Sequence, residues 1–124
     1  MSLKAIRITG LILTIILGLI FTLSAFLKLT LNETAIKQAA SFGIDARIYQ
    51  FIGIIEIVSL VLFITPRTGV LGSLLLIAYM GGAIVTHLQH HQPIAMAVAV
   101  QIILWLTAYI RFPELRQRLL NKIQ

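Results

Sequence analysis

The chain has 124 residues, of which 59% are hydrophobic and 11% charged, with a mean hydropathy of +0.99. Soluble domains carry about 25% charged residues, so this composition excludes a water-soluble enzyme or binding domain and points to an integral membrane protein. The formal charge of +6 does not indicate nucleic acid, because the basic residues collect at the ends of apolar runs, where lysine and arginine set membrane orientation; zero cysteines exclude disulfide exchange, thiolate metal sites and iron-sulfur ligation by this chain.

In chain order, Ile8 to Leu31 is an apolar run whose only charge is Lys28. At about 1.5 Å per residue it reaches roughly 36 Å, enough to cross a bilayer with tilt. It exceeds the roughly 7 to 15 residues of a signal-peptide core, so it reads as an uncleaved first span. Residues 32–47 are polar, and Asn32-Glu33-Thr34 can cap a short helix that Gly43 stops. A second span covers about 48–65 and carries Glu56. Pro66-Arg67-Thr68-Gly69 makes a tight turn into a third span, 70–88. Gln89-His90-His91-Gln92-Pro93 makes another turn, and 94–110 is the fourth span. Residues 113–124 form a basic amphipathic tail in which Leu115, Leu119 and Ile123 recur every four residues, suited to an anionic leaflet.

These elements predict a single all-α domain, an integral membrane up-down four-helix bundle, because short connections join antiparallel neighbours. Lys4, Arg7, Arg67, Arg111, Arg116, Arg118 and Lys122 fall on one side of the membrane, against Lys28, Lys37 and Arg47 on the other. That asymmetry places both termini in the cytoplasm and residues 32–47 outside.

A charge at the centre of a span costs about 2.5 to 3.5 kcal/mol on insertion scales, so Glu56 needs a partner or a proton and marks a functional pathway. Lys28 is the partner within reach, since its stem can snorkel by several ångströms to the depth of Glu56. His87 at the outer end of the third span and Gln101 in the outer half of the fourth share that half of the bilayer. Ser24 and Lys28 share a helix face, as do Tyr49, Glu56 and Ser59. An outward-facing polar pocket formed by Ser24, Lys28, Tyr49, Glu56, Ser59, His87 and Gln101 accommodates all of them. Packing alone is the bland alternative, and it is the better reading for Ser24 and Gln101.

His87, His90 and His91 have spacings that could serve a metal on a continuing helix, but Pro93 argues that the helix ends among them. With no histidine elsewhere in the chain, no bis-histidine haem can form, and no metal site is expected. Gly10, Thr14, Gly18 and Thr22 recur every four residues, which suits close helix approach within the bundle or in a homo-oligomer. Trp105 and Tyr109 suit an interfacial belt.

The segment Gly18-Leu19-Ile20-Phe21-Thr22-Leu23-Ser24-Ala25-Phe26-Leu27-Lys28-Leu29 resembles the first helix of DoxX-like membrane proteins, in which a glycine, a phenylalanine and a serine lead to a Lys-Leu pair. Gly53-Ile54-Ile55-Glu56 with Pro66 resembles that family's second helix, and Ala78-Tyr79-Met80-Gly81-Gly82-Ala83 its third; Ala25 departs from the second small glycine of many members. The resemblance implies a small four-helix subunit of a bacterial inner membrane, in a family that includes partners of quinone-linked oxidoreductase complexes and receptor-assembly factors. The combined expectation is a pocket that binds a small amphipathic ligand, a quinone, within a redox complex. In it Glu56 exchanges a proton, Lys28 holds the charge and His87 relays to the surface. Two alternatives stand beside it: a small proton-coupled carrier, and a non-catalytic assembly factor or anchor for a partner protein.

Overall fold

The computed structural model describes residues 2–120, so Lys122 and Ile123 of the expected tail lie outside the described residues. Ser2 accepts a hydrogen bond from the Ala5 amide at 3.1 Å and starts α1, Leu3–Leu29, ahead of the apolar run itself. Asn32 accepts from the Thr34 amide at 2.9 Å and starts α2, Glu33–Ser41, which stops just before Gly43 at φ 66°. Asp45 caps α3, Ala46–Ile64, through the Arg47 amide at 3.1 Å. A single 3₁₀ turn, Pro66–Thr68, leads into α4, Gly69–Gln89, and then come α5, Ala95–Arg111, and α6, Pro113–Leu119.

The described residues therefore hold six helices rather than the four of the expected bundle. The two additional helices are short and follow from local chemistry. Residues 33–41 have their own cap and an acidic first turn, which complements the helix dipole. Pro113 breaks the ladder of α5 but is suited to the first position of a new helix, where its missing N–H is not needed. α5 and α6 meet at 108°.

Four long helices form a ring, α1 on α3, α3 on α4, α4 on α5 and α5 back on α1. Three stretches, Leu3–Leu29, Ala46–Ile64 and Pro66–Gln89, are long and apolar enough to cross a membrane, and the bent α5–α6 pair makes a fourth if taken as one span. The core is apolar, built around Leu17, Phe21, Phe63, Leu76 and Leu104, but it also holds an ion pair, and the exterior is apolar as well. Glu56 is 1% exposed and Lys28 7%, while Leu19 is 68% exposed and Leu23 61%. Such a surface suits hydrocarbon contact and would be an aggregation liability in water.

The ring is pinned at the end that carries α6. A Cβ on Gly72 would stand 2.1 Å from the Phe63 backbone nitrogen, so α3 and α4 touch main chain to main chain there. Gly10 brings α1 onto Ile110 and Arg111 of α5 at the same end. Arg111 donates to the Phe63 carbonyl at 2.9 Å and to the Ile64 carbonyl at 3.4 Å, and its guanidinium lies 4.6 Å from the Phe112 ring and 5.0 Å from the Phe63 ring. It thereby satisfies carbonyls at the end of α3 that would otherwise lack partners. Toward the other end, under α2, the bundle encloses a cavity.

Candidate functional site

Lys28 and Glu56 meet because α1 and α3 cross closely at Gly53, where a Cβ would stand 2.8 Å from the Lys28 Cβ. No other residue lets the two backbones come that near. The Lys28 ammonium lies 3.2 Å from Glu56 Oε1 and donates to Ser24 Oγ at 2.6 Å; Ser24 in turn donates to the same carboxylate oxygen at 3.3 Å. Ser24 and Lys28 are one helical turn apart on α1, which is why a single acid on α3 can engage both. The ammonium also lies over two aromatic faces, 5.2 Å from the Tyr49 ring and 5.9 Å from the Tyr79 ring. The Tyr79 hydroxyl is beside the Glu56 carboxylate. Burial of this charge pair is thus offset by one ion pair, hydrogen bonds and two ring quadrupoles.

This cluster forms one wall of a cavity of about 500 Å³, a size typical of small-molecule sites. The remaining walls are largely apolar, with Phe21, Ile52, Met80 and Val100 among them. α2 covers the mouth. Ala35 and Ala39 on its buried face pack with Tyr49, whose hydroxyl donates to Gln38 Oε1 at 2.5 Å. Beyond α2, Phe42 sets its ring edge-on to His87 and His90, with centroids 5.0 and 5.7 Å away, and Gln92 donates to Ser41 at 3.1 Å. Two residues that line the cavity also face outward, Met96 at 77% exposure and Ile20 at 38%, so an edge between α1 and α5 communicates with the surroundings of the bundle.

Of the residues singled out in the sequence, Ser24, Lys28, Tyr49, Glu56 and His87 line this cavity. Ser59 and Gln101 do not. Ser59 donates to the Ile55 carbonyl of its own helix at 2.7 Å, and Gln101 donates across to the Ile77 carbonyl of α4 at 3.1 Å while its Oε1 is buried without a partner among the described residues. The His87 Nδ1 lies 2.7 Å from the Ala83 carbonyl, and since a carbonyl only accepts, that nitrogen carries a proton, which in the neutral ring leaves Nε2 as an acceptor. His90 bonds the Thr86 carbonyl in the same way at 2.9 Å. No group of His, Cys, Asp and Glu able to hold a metal occurs among the described residues.

Sequence reasoning passed over Tyr79, Gln38 and Phe42 as cavity residues. Tyr79 had a signal, a hydroxylated aromatic in the middle of a span. Gln38 and Phe42 had none, because nothing in the polar connection says which way α2 folds back.

The sequence model described as the DoxX-like family matches residues 12–109, a stretch that contains the whole Ser24, Lys28, Tyr79 and Glu56 cluster. Comparison with curated proteins and with solved structures gives no match.

Proposed function

The chain belongs to the DoxX-like family, and from that premise we propose that it is a multi-pass membrane protein whose cavity binds a small amphipathic ligand, a quinone, as a subunit of a membrane redox complex. The observation that carries this reading is the position of Glu56, 1% exposed and yet in the wall of a cavity of about 500 Å³. An ion pair serving only as glue needs no empty space beside it. The cavity suits such a ligand, with apolar walls for a ring, the exposed edge at Ile20 and Met96 for a lipid-like tail, and Tyr79, Lys28 and His87 as polar contacts.

A quinone bound there would take up electrons from a partner protein together with protons. Within the chain, Glu56 holds or releases a proton at the cavity wall. Lys28 keeps the carboxylate in place and limits the field of its charge. His87, with Nε2 free to accept, lies nearer the α2 end and offers a relay to the surface. α2 with Phe42 excludes water from the polar wall. We place both termini in the cytoplasm of a bacterial inner membrane, with α2 outside, on the distribution of lysine and arginine.

Gentle detergent extraction followed by mass spectrometry of retained small molecules tests the reading. A lipid-soluble quinone held by the wild type and lost in Glu56→Gln, with the fold intact, is the expected outcome. Retention of a stoichiometric protein partner with no small molecule, and equal behaviour of Glu56→Gln and wild type, would replace it with the assembly-factor reading.

A further inference from the structure

At the opposite end of the bundle a second groove of about 340 Å³ runs along the seam of α1 and α5. Its sides are apolar: Ile6 and Leu11 of α1, Ile64 at the end of α3, and Ile110 of α5. Arg7 and Arg111 also line it. Arg7 lies near the start of α1 and Arg111 is the last residue of α5, so both stand where the apolar spans give way to headgroups. Arg111 is held by the Phe63 and Ile64 carbonyls and by two phenyl rings, which fixes the guanidinium while leaving N–H groups to spare. Neither arginine has an acidic partner, since the ion pairs among the described residues are Lys28–Glu56 and Lys37–Glu33, both elsewhere.

We propose that this groove binds an anionic phospholipid, its phosphate between Arg7 and Arg111 and the upper part of one acyl chain along Ile6, Leu11, Ile64 and Ile110. The charge balance selects the lipid. Two guanidinium groups without counter-charges match a phosphate in forked geometry, and an apolar trough leading away from them matches a chain attached to that phosphate. A zwitterionic headgroup would bring its own cation against the arginines. The proposal is independent of the Glu56 cavity.

The test is native mass spectrometry of the full chain, released from detergent containing equimolar phosphatidylglycerol and phosphatidylcholine of the same chain length. The expected result is selective retention of phosphatidylglycerol. Arg7→Gln should lower its affinity by roughly fivefold, the effect of one basic residue at a membrane surface, whereas Arg67→Gln, on the exposed turn between α3 and α4 and outside the groove, should not. Thr14 of α1 also lines the groove, so Thr14→Phe keeps both arginines but fills the trough, and should also release the lipid. Arg111 is unsuitable as a probe because it also holds the end of α3. Equal retention of the two lipids, equal losses from Arg7→Gln and Arg67→Gln, full retention by Thr14→Phe, or displacement by millimolar inorganic phosphate would each overturn the proposal. The last of these would indicate a simple anion site. Should Thr14→Phe fail to fold, the comparison of Arg7→Gln with Arg67→Gln decides alone.

Discussion

Removing one member of the Lys28–Glu56 pair should be more damaging than removing both. At 3.2 Å the bare attraction is about 5 kcal/mol at an effective dielectric of about 20, and desolvation of two charges offsets most of it. The pair itself therefore adds little net stability. Breaking it leaves one charge buried without its partner, which typically costs about 3 to 5 kcal/mol. For Lys28→Met the stranded group is Glu56, left with Ser24 and Tyr79; for Glu56→Gln it is the ammonium, left with Ser24 and the two rings. We expect each single variant to lose about 3 kcal/mol and the double variant to lose no more than either single one, a coupling of at least about 3 kcal/mol. Reversible unfolding in mixed micelles, titrating a denaturing detergent into a mild one and following helix content, reads these differences directly. Additivity within about 0.5 kcal/mol would refute a direct pair and with it the closed circuit of Lys28, Ser24 and Glu56.

Gly72→Ala should destabilise severely, by about 3 kcal/mol or more, because its Cβ would meet Phe63 backbone that cannot move aside; Gly18→Ala, where nothing lies within 4 Å, should be neutral or stabilise by up to about 1 kcal/mol in the same unfolding assay. Gly53→Ala should cost about 1 to 3 kcal/mol and push Lys28 away from Glu56, so ligand retention should fall further than stability alone explains. His91→Ala should leave ligand retention unchanged, whereas His87→Ala should weaken it, since only His87 lines the cavity; equal effects would remove His87 from the site. For topology, a cysteine introduced at position 38 should react with an impermeant thiol reagent in intact cells and one at position 118 should not, and the reverse labelling would invert the orientation proposed here.

The sequence spoke clearly about depth and weakly about direction. Apolar runs, their lengths and the turn residues between them placed α1, α3, α4 and α5 to within a few residues, because the hydrocarbon thickness leaves little freedom. It also put Lys28, Glu56, His87 and Gln101 in the same half of the bilayer. What depth cannot supply is azimuth around each helix axis. Lys28 could be paired with Glu56 because charge complementarity fixes which faces meet, whereas Ser24, read as a packing residue, joins them because it lies one turn from Lys28 on α1. Gln101 had no such constraint, and it turns into the α4–α5 seam toward Ile77 rather than into the cavity. Arg111 was legible only as a basic residue at a span end. Its bonds to carbonyls 47 and 48 residues earlier depend on α3 and α5 ending side by side. α2 is the remaining case. Its cap was visible in Asn32-Glu33-Thr34, but its position over the cavity depends on Phe42 finding the rings of His87 on α4 and His90 just past its end.

The two glycine contacts that pin one end of the bundle, Gly10 of α1 against α5 and Gly72 of α4 against α3, would serve as the pivot for any opening of the cavity end. Gly82, on the cavity wall, lies ten residues beyond Gly72 on the same helix, about 15 Å along its axis, so a tilt of roughly 4° about the pivot shifts the wall by about 1 Å. For the proposed ligand, a change in girth of that size would call for only this small change of angle. The main resistance lies in the Lys28–Glu56 clasp, which ties α1 to α3 just where the jaws would part.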